Sequence, residues 1–308
     1  MFDSFSRTKI QSKTVCLLAN AVVLASLSSA FVFAAETTKN GSIVPDFYEN
    51  GVGWITRSND FLPPHSGLGP VMSDPSHPYI MESAGGQVQT FRVADVTHPA
   101  LMPWVTETLR KQNEQVLSGK PLYTVANSCR PAGVPNMLLV RLTPFFFVQT
   151  PNEVWLIWQN DHMVRRVFLN RDHSPNLKPT WFGESVGHYE NGDTLVVDTI
   201  GLNTQTTVDN YHTPHTDKLH VIERFHRLSG GRIMEVEVTV EDTGAFTQPW
   251  HALQRYGGVD FQSRRTPELG ALAGDAEPFL SEEVCAETAV TPVNIGMPPV
   301  PRANIPDF

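Results

Sequence analysis

The chain is poor in cysteine, in positive charge and in long apolar runs. Its 308 residues hold three cysteines, Cys16, Cys129 and Cys285, too few for a disulfide-knit scaffold or a four-cysteine metal site. Lys and Arg number 23 against 32 Asp and Glu, and no basic run occurs. An acidic chain without a basic stripe argues against nucleic acid or an anionic membrane as partner. A phosphate-binding Gly-rich loop, a dinucleotide fingerprint, a kinase signature set and an HExxH helix are all missing. Gly183-Glu184-Ser185-Val186-Gly187 fits a nucleophile pattern, but a strand follows it where a helix is needed, so a serine hydrolase is not indicated. No internal repeat is present.

The only long apolar run is at the start. Arg7, Lys9 and Lys13 precede the apolar residues 15–33, and Val32-Phe33-Ala34 has small residues spaced for cleavage. Residues 1–35 are therefore expected to be a signal peptide, and the protein periplasmic or extracellular. Cleavage would remove three basic residues and Asp3, leaving 20 basic and 31 acidic side chains, net −11. No later stretch is apolar enough to cross a bilayer. Cys129 and Cys285 are then the mature cysteines, and in an exported protein they are expected to pair.

Residues 36–136 are expected to form an extended N-terminal arm, rich in Gly, Pro, Ser and Asn, followed by one helix near 99–118, with an apolar stripe at Leu101, Trp104, Val105 and Leu109 and a stop at Gly119. Residues 137–286 read as a β domain. Phe145-Phe146-Phe147-Val148 is a buried strand. Residues 153–159 and 162–169 form a hairpin that sets Trp155 opposite Arg166. Residues 184–190 and 194–199 turn at Asn191-Gly192. Residues 219–227 and 232–241 turn at Gly230-Gly231. Successive antiparallel hairpins predict a mainly β meander closing into a barrel or strongly curved sheet, lipocalin-like in outline. Residues 287–308 are a Pro-rich C-terminal tail.

Register singles out Glu223. With Gly230-Gly231 as the turn, His220 faces Glu241, Arg224 faces Glu237 and His226 faces Glu235, a ladder of opposite charges. On the other face Val221, Glu223 and Phe225 meet Val240, Val238 and Val236. Glu223 is the one carboxylate on the apolar row, and such a carboxylate needs a partner, a raised pKa or a task. A two-residue turn at Asn191-Gly192 puts His188 opposite Leu195 on an apolar face, with Ser185, Tyr189, Val196 and Asp198 on the other. If both faces line one interior, Glu223 and His188 make an acid–base pair. His215, fixed by Pro214, is a second partner at the mouth. Asp198 and Tyr189 are further candidates. Arg165 and Arg166 point to opposite faces; the inward one either holds substrate charge or neutralises Glu223 in a packed core pair. Trp155 and Trp181 offer aromatic surface for an apolar ligand. His212, His215 and His220 are weakly spaced for a divalent metal, and no other cofactor is indicated.

The strings Gly187-His188-Tyr189-Glu190 with Gly192-Asp193-Thr194-Leu195-Val196-Val197-Asp198-Thr199, and Thr213-Pro214-His215-Thr216 with Leu219-His220-Val221-Ile222-Glu223-Arg224-Phe225, resemble a large family of exported bacterial proteins usually labelled hypothetical. The likeness runs over most of the mature chain and implies export but no activity. That family usually runs Glu-Gly-Asp directly, so Asn191 lengthens this loop by one residue. The functional expectation is an enzyme (isomerase, lyase or hydrolase) working by acid–base chemistry on a small, largely apolar or aromatic molecule inside the barrel. A ligand-binding protein with the same cavity and a His-ligated metal-dependent enzyme are the alternatives. A Glu223–Arg pair packed without a cavity would count against catalysis by Glu223.

Overall fold

A computed structural model describes residues 44–48, 53–56, 58–79, 92–120, 122, 130–140, 143–160, 163–228 and 231–259. The expected signal peptide, the Cys129–Cys285 pairing and the C-terminal tail lie outside the described residues. No helix among the described residues is long and apolar enough to cross a membrane.

Nine strands close into a barrel: β1 (Gly53–Ile55), β2 (Phe145–Gln149), β3 (Glu153–Trp158), β4 (Val164–Leu169), β5 (Glu184–Glu190), β6 (Thr194–Ile200), β7 (His220–Arg227), β8 (Ile233–Glu241) and β9 (Trp250–Val259). One helix, α1 (Pro103–Leu117), precedes β2 and buries Val105, Leu109 and Val116. Pro103 opens it, where a missing N–H costs nothing. The helix starts a few residues later than the sequence suggests.

Two features depart from a simple meander. The arm supplies a strand: β1 pairs with β2 through Trp54 and Phe145, and with β9 through Gly53–Ile55 against residues 257–259, so it closes the ring. And β4 runs parallel to β5, pairing only residues 167–169 with 185–187. Residues 170–183 are long enough to carry the chain back across the sheet end, which a parallel pair requires.

Alternation decides what fills the ring. The inward positions are Phe145 and Phe147, Leu156 and Trp158, Leu195 and Val197, Val221 and Phe225, Val236 and Val238, Trp250 and Tyr256, all essentially buried. Phe145 stacks on Trp158 at 4.7 Å and meets the edge of Tyr256 at 4.9 Å, while Phe147 meets Phe225 edge-on at 5.8 Å. These large side chains meet at core packing distances. The β7–β8 register matches the expected one at every named pair.

Candidate functional site

Glu223 is fully buried, and its partner is Arg165 from β4, itself 1% exposed. Arg165 Nη1 donates to Glu223 Oε1 at 2.9 Å, and Nη2 donates to Oε2. Nη2 also donates to Thr199 Oγ1 at 2.7 Å and Nε to Ser185 Oγ at 3.0 Å. The two hydroxyls lie 3.0 Å apart. The planar fork of the guanidinium thus satisfies both carboxylate oxygens and ties four strands together, β4 to β7. Tyr256 lies close enough to feel the Glu223 charge, but its hydroxyl donates to Leu138 O at 2.5 Å. Burial, then the Glu223 charge, raises the Tyr256 phenol well above 10.0. The geometry is that of a satisfied core pair.

His188 is not on the Glu223 face. The β5–β6 turn spans Asn191, Gly192 and Asp193, with Glu190 paired to Thr194, so His188 pairs with Val196 and Tyr189 with Leu195. Asn191 (φ 53) and Gly192 (φ 74) both take left-handed backbone. The extra residue shifts the register by one and flips every side chain of β5. His188 points outward, half-exposed, and holds Glu190 at 2.9 Å. Tyr189 goes inward instead. Its hydroxyl accepts from Gln149 at 2.9 Å, and burial pushes it up to about 12.

His215 is buried at 4% exposure with both ring nitrogens occupied. Nδ1 lies 2.8 Å from Thr216 O, a carbonyl that can only accept, so Nδ1 carries the proton and Nε2 accepts from Thr206 Oγ1 at 2.8 Å. It braces the 203–216 loop. His212 sits at φ 62 in a turn organised by Asp209, whose carboxylate accepts from Tyr211 N and Thr213 N. Burial and the Arg92 charge pull the His212 imidazole down to about 4. Arg166 faces out, held by Glu153 at 2.7 Å and lying 5.3 Å over the Trp155 ring. Trp181 is half-buried in the 170–183 connector. His212, His215 and His220, the histidines expected near a metal, do not converge among the described residues.

Asp198 and His220 belong to a chain of acids and imidazoles on the outer wall. Glu184 faces His173 Nδ1 at 3.3 Å, and His173 Nε2 faces Asp198 Oδ1 at 2.9 Å. The same oxygen faces His220 Nε2 at 3.0 Å, and His220 Nδ1 faces Glu241 at 3.2 Å. An imidazole between two carboxylates satisfies both only when it carries two protons. The hydrogen bond to Asp198 raises His220 above 6.5. Burial works to raise Asp198, but the bonds from His220 and His173 outweigh it and hold it below 3.8. Stability from His220 is complete below 6.5 and is lost as pH rises through its higher folded value. That from Asp198 is complete above 3.8 and is lost as pH falls through its lower folded value. Melting temperature should therefore fall as pH rises from 6.5 through the higher folded value of His220, and Asp198→Asn should flatten that fall. An unchanged fall in the variant would show that the chain does not set it.

A different cluster has open chemistry. Arm residues follow the edge of β9 that β1 leaves free: Leu62 exchanges backbone bonds with Leu253, and His251 N donates to Leu68 O at 2.8 Å. Gly67, at φ +87, makes the approach feasible, since a Cβ there would lie 2.8 Å from His251 Cδ2. The arm thereby places His65 over β8. His65 Nε2 lies 2.9 Å from Glu235 Oε1, and one ligand atom each from His65, Glu235 and Glu237 lies within 4.8 Å of the others. Glu235 is 2% exposed and also holds Arg255 at 2.6 Å. Burial works to raise its carboxyl, but His65 and Arg255 outweigh it and the carboxyl is lowered. Glu237 has no hydrogen-bond or ion-pair partner among the described residues. Arg224, opposite it, turns to Glu190 at 2.6 Å. A cleft of about 300 Å³ opens here, walled by Arg224, Thr239 and His251. His251 Nδ1 is held by Thr239 Oγ1 at 2.9 Å.

The i, i+2 spacing of Glu235 and Glu237 is visible in the sequence and puts both on one outer face. Nothing local ties His65, far back in the arm, to that face. Comparison with protein-family models, with curated proteins and with solved structures returns no match to this chain.

Proposed function

We propose that the protein is an exported, divalent-metal-dependent enzyme of the hydrolase or lyase type. It acts on a small polar molecule in the cleft between the arm and strands β7–β9. The observation that supports this most is the convergence of His65, Glu235 and Glu237 within 4.8 Å, with His65 and Glu237 lining the cleft and Glu237 unpartnered among the described residues. One imidazole and two carboxylates suit zinc, manganese or iron. Three protein ligands leave a position for water, whose pKa a bound divalent ion lowers, so that metal-assisted attack is the chemistry such a site supplies. His251, oriented by Thr239, would hold or pass a proton on the wall, and Arg224 would face substrate charge. Under this reading the chemistry belongs to the outer wall of the barrel, not to its interior.

A second reading rests on Arg255. With Arg255 and His65 both on Glu235, the cluster is a lock that fastens the arm. Glu237 separates the two. Chelator-stripped protein titrated calorimetrically with Zn²⁺ or Mn²⁺ should take one ion per chain. Glu237→Gln should weaken that binding about tenfold or more with the melting temperature unchanged. A lock alone predicts no ion bound below millimolar concentration, and that result would remove the metal reading.

A further inference from the structure

The second cleft lies where the barrel wall parts. Strands β4 and β5 are parallel but pair only at 167–169 and 185–187, so residues 164–166 have no strand on that side. The connector does not fill the gap. Thr180 bonds instead to Gly201 and Asn203, at the far end of β6. A cleft of about 360 Å³ remains, in the size range of small-molecule sites.

Its lining is apolar on the walls and cationic at the rim. Val164, Phe168, Leu177 and Phe182 supply the apolar surface. Val164 is 40% exposed although it lies in a strand. Phe168 lies under two guanidinium groups, Arg166 at 4.8 Å and Arg171 at 3.9 Å. Charge balance singles out Lys178. Arg165, which also reaches the lining, is answered by Glu223, Arg166 by Glu153, and Arg171 by Glu184. Glu184, the one acid in the lining, also takes Ser174 N and Oγ, so its charge is spent within the wall. Lys178 has no hydrogen-bond or ion-pair partner among the described residues.

We propose that this cleft binds a small organic anion with a planar apolar body, the body between Phe168 and Phe182 and the anionic group against Lys178. The site is separate from the His65–Glu235–Glu237 cluster and does not depend on it. An uncharged aromatic would fill the walls and leave Lys178 unanswered. An inorganic anion would find the cation and bury no apolar surface.

The test uses two dyes of similar body, 8-anilinonaphthalene-1-sulfonate and the uncharged N-phenyl-1-naphthylamine, each titrated by fluorescence into the folded protein. One site per chain is expected for the sulfonate. Lys178→Glu should weaken the sulfonate about tenfold, since it reverses the one unanswered cation of the lining, and leave the neutral dye unchanged. Val164→Asp, a change at an exposed position, should weaken both. Glu237→Gln should alter neither, which keeps this result distinct from failure of the metal site. The proposal is overturned if the sulfonate does not bind, if it binds Lys178→Glu as it binds the parent, or if Val164→Asp leaves both dyes unaffected.

Discussion

Replacing Glu223 by Gln, or Arg165 by Met, should each cost about 3–5 kcal/mol of folding stability, among the largest single losses in the barrel. Both groups are at most 1% exposed, so either change strands a charge away from water. Glu223→Gln nearly preserves shape, and its loss therefore reports charge and hydrogen bonding rather than a cavity. The double variant with Met at both positions should recover most of the deficit. The surrounding strands are mostly apolar, and Ser185 and Thr199 keep each other's hydroxyls at 3.0 Å. Urea unfolding of the parent, both single variants and the double variant gives the coupling directly. Single losses under about 1 kcal/mol would mean that water or a rearranged partner reaches the pair. Neither single change should alter metal affinity at the outer cleft. If Glu223→Gln instead removed activity from a stably folded protein, chemistry would return to the interior.

What was legible in the sequence follows from how local each signal is. The β7–β8 hairpin reads correctly because a Gly-Gly turn fixes its register and the opposite charges across it agree. Glu223 as an inward acid comes from that register, but alternation along β4 leaves either Arg165 or Arg166 inward, and only the packed barrel selects Arg165. The β5–β6 hairpin departs by one residue, because Asn-Gly signals a two-residue turn and Asp193 also belongs to it. That single residue exchanges His188 for Tyr189 on the inner face. The parallel β4–β5 pair was hidden because a long connector carries no signal of the direction in which it returns. Strand β1 escaped for the opposite reason. Gly-Trp-Ile is too short to show a period, and what makes it a strand is the pair of open edges on β2 and β9. His65 belongs to the same class of miss, since only the docked arm brings it to Glu235.

Trp54→Ala should cost about 3–5 kcal/mol, more than the size of β1 would suggest. Trp54 is 1% exposed and lies between Phe145 of β2 and Gly258 of β9, so its ring sits at the closure of the barrel. The indole Nε1 donates to Phe47 O at 2.8 Å, and alanine would also leave that carbonyl unanswered. The neighbouring arm contacts depend on the same placement: Gln149 Oε1 accepts from Phe47 N at 2.8 Å, and Gln149 Nε2 donates to Pro45 O at 2.8 Å. Trp54→Phe keeps most of the buried body and loses the N–H bond, so it should cost about 1–2 kcal/mol. Unfolding followed by circular dichroism measures both, and an alanine variant within about 1 kcal/mol of the parent would show that β1 does not hold the ring closed. The consequence reaches the outer cleft, because the chain that leaves β1 delivers His65 to Glu235. A variant that loosens β1 while the remaining strands stay folded should lose metal affinity with no ligand replaced.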